Sequence, residues 1–144
     1  MRLVGTIMLV FIGLTALGQK KKDVKEADKL FKKGLYEEAM PMYRTFINMD
    51  ANNMDYVYKY GSCLVMVTDK TDEALKYLLK AEEMGKKDED VAFFIGRAYE
   101  KKGEYEKALK YYERFKLATE KEEWKKLKVK KRMKACKKAI RKMN

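Results

Sequence analysis

Few side chains of this sequence are suited to catalysis, and none of them falls in a catalytic pattern. The 144 residues include no histidine, which removes the commonest general base and the commonest metal ligand. Glycine-rich phosphate loops, hydrolase serine turns and zinc-peptidase motifs are all absent. The acidic run at residues 88–90 lacks the spaced ligands and the glycine of a calcium loop. The residue types therefore predict a protein with no enzymatic activity, no metal and no cofactor.

The two cysteines, Cys63 and Cys136, are the remaining reactive side chains. They lie too far apart in sequence for a zinc pattern or a Cys-x-x-Cys redox pair. In an oxidising compartment they either form a disulfide with each other or remain two free thiols in the core. The free thiols are the favoured alternative, because unpaired cysteine is among the most buried residue types.

The first eighteen residues are predicted to be a signal peptide. A single basic residue, Arg2, precedes an apolar run over residues 3–17. Small residues at Ala16 and Gly18 then suit cleavage before Gln19. The alternative is an uncleaved anchor, for which the run is short, because a membrane-spanning helix needs about 20 apolar residues. We therefore expect an exported protein, located in the periplasm or associated with the outer membrane.

The positive charge of the chain is concentrated at its C-terminal end. Residues 120–144 contain twelve lysines and arginines and three glutamates, a net charge of +9, whereas residues 19–119 carry only +2. Apolar residues recur within this basic segment at steps of three and four, which predicts an amphipathic helix. The apolar stripe comprises Val129, Met133, Cys136, Ile140 and Met143. The residues expected on its outer surface are Lys130, Lys131, Lys137 and Lys138.

Two sets of small residues recur with a period near 34. The first is Ala27, Gly61 and Gly96, spaced by 34 and 35 residues, and the second is Ala39, Ala74 and Ala108, spaced by 35 and 34. The third period reads Gly-Arg-Ala-Tyr from residue 96, Gly-Glu-Tyr-Glu-Lys-Ala over 103–108, and then a tyrosine at 112. With this period and these motifs the chain resembles the tetratricopeptide repeat family. Small residues are then expected where helices approach closely, and Gly34 and Gly103 are expected to end first helices.

The resemblance implies an all-α fold, a right-handed α-solenoid of three helical hairpins. The repeats would occupy residues 19–119, at about 20–53, 54–88 and 89–119. The basic segment 120–144 is expected to be one helix that caps the last repeat, because an end repeat needs a polar outer face. The expected helices are 22–33, 36–49, 54–67, 71–84, 88–102, 105–118 and 120–142.

In this family the concave face of the stack, lined by the first helix of each pair, binds partner segments. The candidate binding residues at these positions in repeats two and three are Tyr58, Ser62, Val65, Met66, Phe93, Arg97 and Lys101. The same set of positions also includes Asp55, Asp90 and Glu100 in these two repeats, and Lys21, Val24, Asp28, Phe31 and Lys32 in repeat one. The mixture of aromatic, aliphatic and basic side chains among the candidate residues suits an extended peptide with apolar and acidic residues. The alternative for Val65 and Phe93 is packing inside the core. The Lys and Asn clamp by which chaperone-binding members hold a terminal carboxylate is absent.

The order of a signal segment, three such repeats and a lysine-rich helix also resembles the N-terminal region of OmpA-family envelope proteins, some of them associated with type IX secretion. The chain is then either a fragment of such a protein or a free-standing relative. This resemblance implies a protein–protein adaptor in the cell envelope. The alternative is a structural protein that attaches to anionic lipid or cell wall through its basic helix. An intracellular RNA-binding protein is a third hypothesis, disfavoured by the export signal, so we expect a protein or peptide partner and no nucleic acid.

Overall fold

The computed structural model describes the backbone of residues 3–86 and 89–143 and the side chains of residues 18–86 and 90–143. The helices in this part of the chain are α1 (Leu3–Lys32), α2 (Tyr36–Met49), α3 (Met54–Val67), α4 (Thr71–Glu83), α5 (Glu89–Lys102), α6 (Tyr105–Ala118), α7 (Lys121–Lys126) and α8 (Val129–Met143). α1 packs on α2, α3 on α4 and α5 on α6, and each pair packs on the next. α8 packs on α6 and closes the stack. The predicted all-α solenoid of three hairpins is confirmed.

Two glycines end the first helices of the outer hairpins, as the repeat predicted. Gly34 and Gly103 have φ angles of 76° and 78°, a left-handed conformation that few other residues adopt. The amide of Leu35 then donates to the Leu30 carbonyl at 3.0 Å. Such a hydrogen bond closes a helix end and lets the chain turn back at once.

Small residues allow the helices to approach closely. The alanines at the recurring positions are completely buried: Ala27, Ala39, Ala74 and Ala108. A Cβ atom on Gly96 would lie 2.9 Å from the ring of Tyr112, so only hydrogen fits there. The largest side chains in the core include Tyr43, Tyr112, Phe115, Leu78 and Ile95. The core thus needs small residues where helix backbones touch and large side chains where space remains between the helices, which explains why both small and large residues recur in the sequence.

The first helix is longer than expected. It begins at Leu3, whereas the sequence predicted a start near residue 22. No proline interrupts this stretch, and one helix continues from the predicted signal peptide into the first repeat. The side chains of residues 1–17, most of the predicted signal peptide, lie outside the described residues, and its cleavage stays a prediction. Among the described residues, no helix is both long enough and apolar enough to cross a membrane.

The prediction of a single helix over 120–142 is wrong. α7 ends at Lys126 and α8 begins at Val129, and between them Lys128 has a φ angle of 54°. On an uninterrupted helix Leu127 would lie about 180° from Cys136, so both apolar side chains would not face the stack. The break removes this conflict, since Leu127 packs against the core while Cys136 is buried.

Both cysteines are buried free thiols, so the disulfide alternative does not hold in this structure. Burial raises the pKa of the Cys63 thiol to about 12. Burial and the nearby Glu100 carboxylate raise the pKa of Cys136 to about 11. Because the thiolate is the reactive form, both side chains behave as inert core residues near neutral pH.

Candidate functional site

Four of the seven predicted groove residues lie in the core. The side chains of Tyr58, Val65 and Phe93 are at most 3% exposed, and Ser62 is completely buried. The hydroxyl of Ser62 donates to the backbone carbonyl of Tyr58 at 2.9 Å. These residues present no side chain to a partner, so we exclude them from the candidate site, and the core-packing alternative holds for Val65 and Phe93.

The other three predicted groove residues stabilise the stack. Arg97 donates to Glu100 at 2.9 Å. The ammonium of Lys101 donates to the carbonyl of Thr68 at 2.6 Å, at the C-terminal end of α3, where a positive charge is favourable. Met66 is half-buried and packs against the core. All three thus have contacts within the chain, and because none of them is fully buried, their role in partner binding stays a prediction.

An aromatic cluster that spans the three hairpins explains this burial. The ring of Phe31 in α1 lies 6.0 Å from Tyr58 in α3 and 6.1 Å from Phe94 in α5, measured between centroids. Tyr58 and Phe94 are themselves 6.0 Å apart. Because α1 approaches α5 this closely, the concave side of the stack is partly filled by its own side chains. The repeat positions specify a side of each helix, but not the curvature that brings those sides together.

Ion pairs occupy a neighbouring part of the concave side. Lys59 in α3 donates to Asp28 in α1 at 2.7 Å, and Lys86 after α4 donates to Asp55 in α3 at 3.1 Å. Burial alone would raise the pKa of Asp55, but hydrogen bonds and charges from Lys59 and Lys86 lower it below its usual value. These charges balance one another, so this region holds helices together rather than attracting a charged ligand.

An open cleft of about 460 Å³ lies beside the aromatic cluster. Its apolar lining consists of the half-buried Phe31, Tyr36 and Leu127 and of Phe94, which is only 5% exposed. It is hereafter named the aromatic cleft. Tyr36 meets Phe31 edge to face at 5.4 Å and Phe94 at 6.1 Å. Burial raises the pKa of the Tyr36 hydroxyl, with smaller contributions from Cys63 and Asp90, so this ring stays neutral. Concave sites with an apolar lining and a few polar groups are typical of ligand pockets.

The rim of the aromatic cleft carries more positive than negative charge. The charged residues that line it are Lys32, Lys33, Asp90, Glu123 and Lys126. Glu123 and Lys126 lie 3.8 Å from each other and offset one another. Lys32 and Lys33 are exposed, and neither has an acidic partner within 4.0 Å among the described side chains. The cleft therefore suits an apolar side chain that has an acidic group next to it.

Sequence reasoning found part of this cleft. It placed Phe31, Lys32 and Asp90 at groove positions, and the structure brings all three to the cleft. The groove positions Lys21, Val24 and Asp28 in repeat one do not line it. It missed Tyr36 and Leu127, which lie outside the first helices of the repeats. The sequence did indicate that Phe94 faces a different side of α5 from Phe93, because neighbouring side chains on a helix point about 100° apart. Only one of the two rings therefore faces the Tyr112 side, and it is Phe93.

The four predicted tail lysines are exposed on α8: Lys130, Lys131, Lys137 and Lys138. Val129 and Cys136 on the other side of the helix are buried. Arg132 donates to Glu100 in α5 at 3.2 Å, which joins α8 to the last hairpin. α8 thus holds a second, strongly basic surface in a defined position.

The described residues contain no group of three or more Cys, Asp or Glu side chains placed to hold a metal ion. The lack of enzymatic activity, metal and cofactor stays a prediction from the sequence.

Residues 91–123 match the family described as tetratricopeptide repeat. The matched segment covers most of α5, all of α6 and the start of α7. No curated protein has significant sequence similarity to the chain.

Several solved structures are similar to this chain. The tetratricopeptide domain of P58(IPK) superposes with a TM-score of 0.74 at 14% identity, over 93% of this chain and 37% of that one. The Yersinia enterocolitica type III secretion chaperone SycD, in complex with a peptide of the translocator YopD, gives 0.62 at 21% identity, over 81% and 91%. The first tetratricopeptide domain of human RPAP3 gives 0.63 at 18%, over 85% and 93%. The chain spans little more than a third of the P58(IPK) domain. It therefore has the fold of a tetratricopeptide-repeat solenoid, and its third hairpin carries the sequence of that repeat.

Proposed function

We propose that this protein is a non-enzymatic scaffold of the cell envelope that binds a segment of a partner protein in the aromatic cleft. The observation that carries this proposal is the cleft itself, where the half-buried rings of Phe31 and Tyr36 lie next to the exposed Lys32 and Lys33. Aromatic side chains are favoured anchors of protein interfaces. Rim lysines attract an acidic segment and add specificity. The proposed ligand is a segment with a bulky apolar side chain beside one or more acidic residues.

The fold supports a scaffold role. Stacked helical hairpins contact only their neighbours, so a short chain presents an extended surface for a partner. SycD, which shares this fold, was solved with a bound peptide of YopD. Peptide binding by a protein of the same architecture supports, by analogy of fold, the same kind of ligand here.

The proposed location rests on the N-terminal sequence. The apolar run over residues 3–17 and the small residues before Gln19 are typical of an exported protein. The narrower form of the proposal is an adaptor of the type IX secretion kind, suggested by the order of its segments. N-terminal sequencing of protein from periplasmic and outer-membrane fractions tests the location. A chain that begins at Gln19 supports export, and an intact chain recovered from the cytosol contradicts it.

Site-specific photocrosslinking in cells tests the aromatic cleft. A photoreactive amino acid replaces Leu127 in the cleft wall, and in a control strain it replaces Lys110, an exposed residue of α6. We expect a discrete crosslinked partner from position 127 and none from position 110. Equal crosslinking at both positions would contradict binding in the cleft.

Charge reversal makes the same experiment more specific. We expect K32E/K33E to remove the crosslink at position 127, because the acidic part of the partner segment is then repelled. The matched variant K76E/K110E changes the net charge equally at exposed lysines outside the cleft and should retain it. If both variants behave like the wild type, the lysine rim has no role in binding.

A further inference from the structure

The outer side of α8 is a continuous, positively charged surface. It consists of Lys130, Lys131, Lys134, Lys137, Lys138, Arg141 and Lys142, hereafter the α8 cationic face. All seven residues are exposed, and none has an acidic partner within 4.0 Å in the part of the chain that the structure describes. On a regular helix their positions fall within an arc of about 140° opposite Cys136. α8 itself contains no acidic residue.

Helix stability does not explain this face. Lys130 and Lys131 lie in the first turn of α8, which has no acidic residue, and a positive charge at that end opposes the helix dipole. The face also contains like-charge pairs four residues apart, such as Lys134 with Lys138, which destabilise a helix. Only Arg141 and Lys142, in the last turn, are placed favourably with respect to the dipole. The charge therefore weakens the isolated helix, and helix stability does not account for it.

Packing holds the cationic face in a fixed orientation. Val129 and Cys136 are completely buried on the opposite side of α8, and Met133 packs against the core. The ion pair between Arg132 and Glu100 at 3.2 Å adds a polar connection to α5. Since the apolar side of α8 is already used inside the molecule, the helix is not free to insert it elsewhere. The solvent-facing side of α8 therefore presents charged side chains rather than an apolar surface for insertion.

We propose that the α8 cationic face docks the protein on the headgroups of anionic phospholipids, independently of the aromatic cleft. Clusters of four to eight basic residues on an amphipathic helix are typical of binding to anionic lipid surfaces. Six of the seven residues are lysines, whose compact charges suit a diffuse anionic surface better than the paired hydrogen bonds that arginine makes. A straight helix of 15 residues lays this charge along about 22 Å of a flat surface.

Nucleic acid fits the face less well. Single-stranded nucleic acid is bound mainly through aromatic side chains that stack on bases, and α8 contains no aromatic residue. The nearby Trp124 is 9% exposed, and its ring is covered by Lys130 at 4.8 Å and approached by Lys116 at 5.8 Å. No stacking surface is therefore exposed beside the cationic face.

Vesicle sedimentation with the full-length chain tests the proposal. Vesicles of phosphatidylcholine with about 30% phosphatidylglycerol are compared with phosphatidylcholine alone, which accounts for binding through the apolar N-terminal run. We expect at least about 10-fold tighter binding to the anionic vesicles, and loss of this preference on raising the salt from about 0.05 M to about 0.5 M. Equal binding to both vesicles would overturn the proposal.

A set of charge variants assigns the preference to α8. We expect K130E/K131E/K137E/K138E to weaken binding to the anionic vesicles about 100-fold or more. The variant K25E/K70E/K76E/K110E, at four exposed lysines outside α8 and outside the aromatic cleft, changes the net charge of the chain equally and should bind within about 3-fold of the wild type. Equal losses in the two variants would mean that only the net charge matters and would overturn the assignment.

Two further measurements keep this result interpretable. Substitution of the same four α8 lysines by glutamine introduces no repulsion within the helix, and we expect it to reduce both the affinity for anionic vesicles and its salt dependence. Far-ultraviolet circular dichroism and urea unfolding report whether the helices remain folded and packed in each variant. Tighter binding to a DNA duplex than to the anionic vesicles at equal salt would overturn the lipid assignment. If this proposal fails, the proposed partner binding in the aromatic cleft is not affected, because the two surfaces share no residue.

Discussion

Glu100 in α5 accepts hydrogen bonds from side chains on three helices. Tyr112 in α6 donates its hydroxyl, and the guanidinium groups of Arg97 in α5 and Arg132 in α8 donate at 2.9 and 3.2 Å. Burial alone would raise the pKa of Glu100, but the Tyr112 hydrogen bond and the charges of both arginines lower it below its usual value. A single carboxylate thus joins the last hairpin to the helix that covers it.

Removal of this charge should destabilise the protein. We expect Glu100→Gln to lower the free energy of unfolding at neutral pH by about 2–3 kcal/mol, because two half-buried guanidinium groups lose their counter-charge. Urea unfolding followed by circular dichroism measures the change. Glu106→Gln, at an exposed residue of α6, is the control and should stay within about 0.5 kcal/mol of the wild type. Equal losses in both variants would contradict a specific role of Glu100.

The same carboxylate should make stability depend on pH. The folded-state pKa of Glu100 lies below its ordinary value of 4.5, so the unfolded chain takes up the proton first as the pH falls. The contribution of Glu100 is therefore complete above the ordinary pKa and is lost as the pH falls through the folded-state pKa. We expect the stability difference between the wild type and Glu100→Gln to shrink between about pH 6 and about pH 3. A difference that stays constant over this range would show that the charge of Glu100 is not what matters.

Gly96 provides a second test at the residue scale. We expect Gly96→Ala to destabilise the protein by about 1–3 kcal/mol, because the added methyl group would meet the Tyr112 ring at 2.9 Å. Lys110→Ala is the control, since Lys110 is exposed on α6, and alanine there should stay within about 0.5 kcal/mol of the wild type. Thermal unfolding midpoints of the two variants measure the effect. Equal midpoints for Gly96→Ala and Lys110→Ala would contradict the close approach of α5 and α6.

Among the helices, α7 supplies one wall of the aromatic cleft, and α8 supplies the cationic face. α7 buries Trp124, and the chain then turns at Lys128, whose φ angle is 54°. A non-glycine residue pays a steric cost in this conformation. The break nevertheless allows Leu127 to line the cleft while Cys136 is buried.

Relief of this local strain should be measurable. We expect Lys128→Gly to raise the free energy of unfolding by about 0.5–1 kcal/mol, because glycine adopts positive φ angles without a steric cost. Lys125→Gly within α7 is the control, and it should lower stability by about 1 kcal/mol. The urea midpoints of the two variants measure these opposite shifts. A loss of stability in Lys128→Gly would contradict a left-handed break between α7 and α8.

At the scale of the whole molecule, the stack depends on being covered at its end. α8 packs on α6 and buries Val129 and Cys136 there. Without this helix the apolar side of α6 faces water, and a repeat stack with an uncovered end loses solubility.

Truncation tests this dependence. We expect a chain that ends at Lys128 to lose at least about 3 kcal/mol of stability and to self-associate, as measured by urea unfolding and size-exclusion chromatography. A chain that lacks only residues 142–144 should behave like the wild type, because Lys142 and Met143 are exposed. A stable, monomeric chain after the longer truncation would show that α8 is not a structural cap.

Recurring residues made the architecture predictable. Ala39 and Ala108 mark close helix contacts, because a larger side chain would separate the backbones at every repeat. Gly34 and Gly103 mark helix ends, because their φ angles exclude most other residues. These features arise from contacts between residues that are near in sequence, so their period and type are visible without coordinates.

The candidate site was less predictable, because it depends on contacts between distant helices. Phe31 and Tyr58 both occupy groove positions expected from the repeat, yet Phe31 lines the aromatic cleft and Tyr58 is 3% exposed. Their difference follows from the approach of α1 to α5, where the rings of Phe31 and Phe94 lie 6.1 Å apart. That distance depends on the packing angles between successive hairpins, and the spacing of residues in the sequence does not specify these angles.

The sequence by itself determined the repeat period, the hairpin helices and the concentration of charge in residues 120–144, because each depends on local composition and spacing. Only the tertiary structure decided which aromatic side chains are core and which remain open to a partner. It also decided the break at Lys128, since Leu127 and Cys136 pack inward together only when the helix is interrupted. Both outcomes depend on how helices far apart in the chain approach one another, and that approach is a property of the packed molecule as a whole.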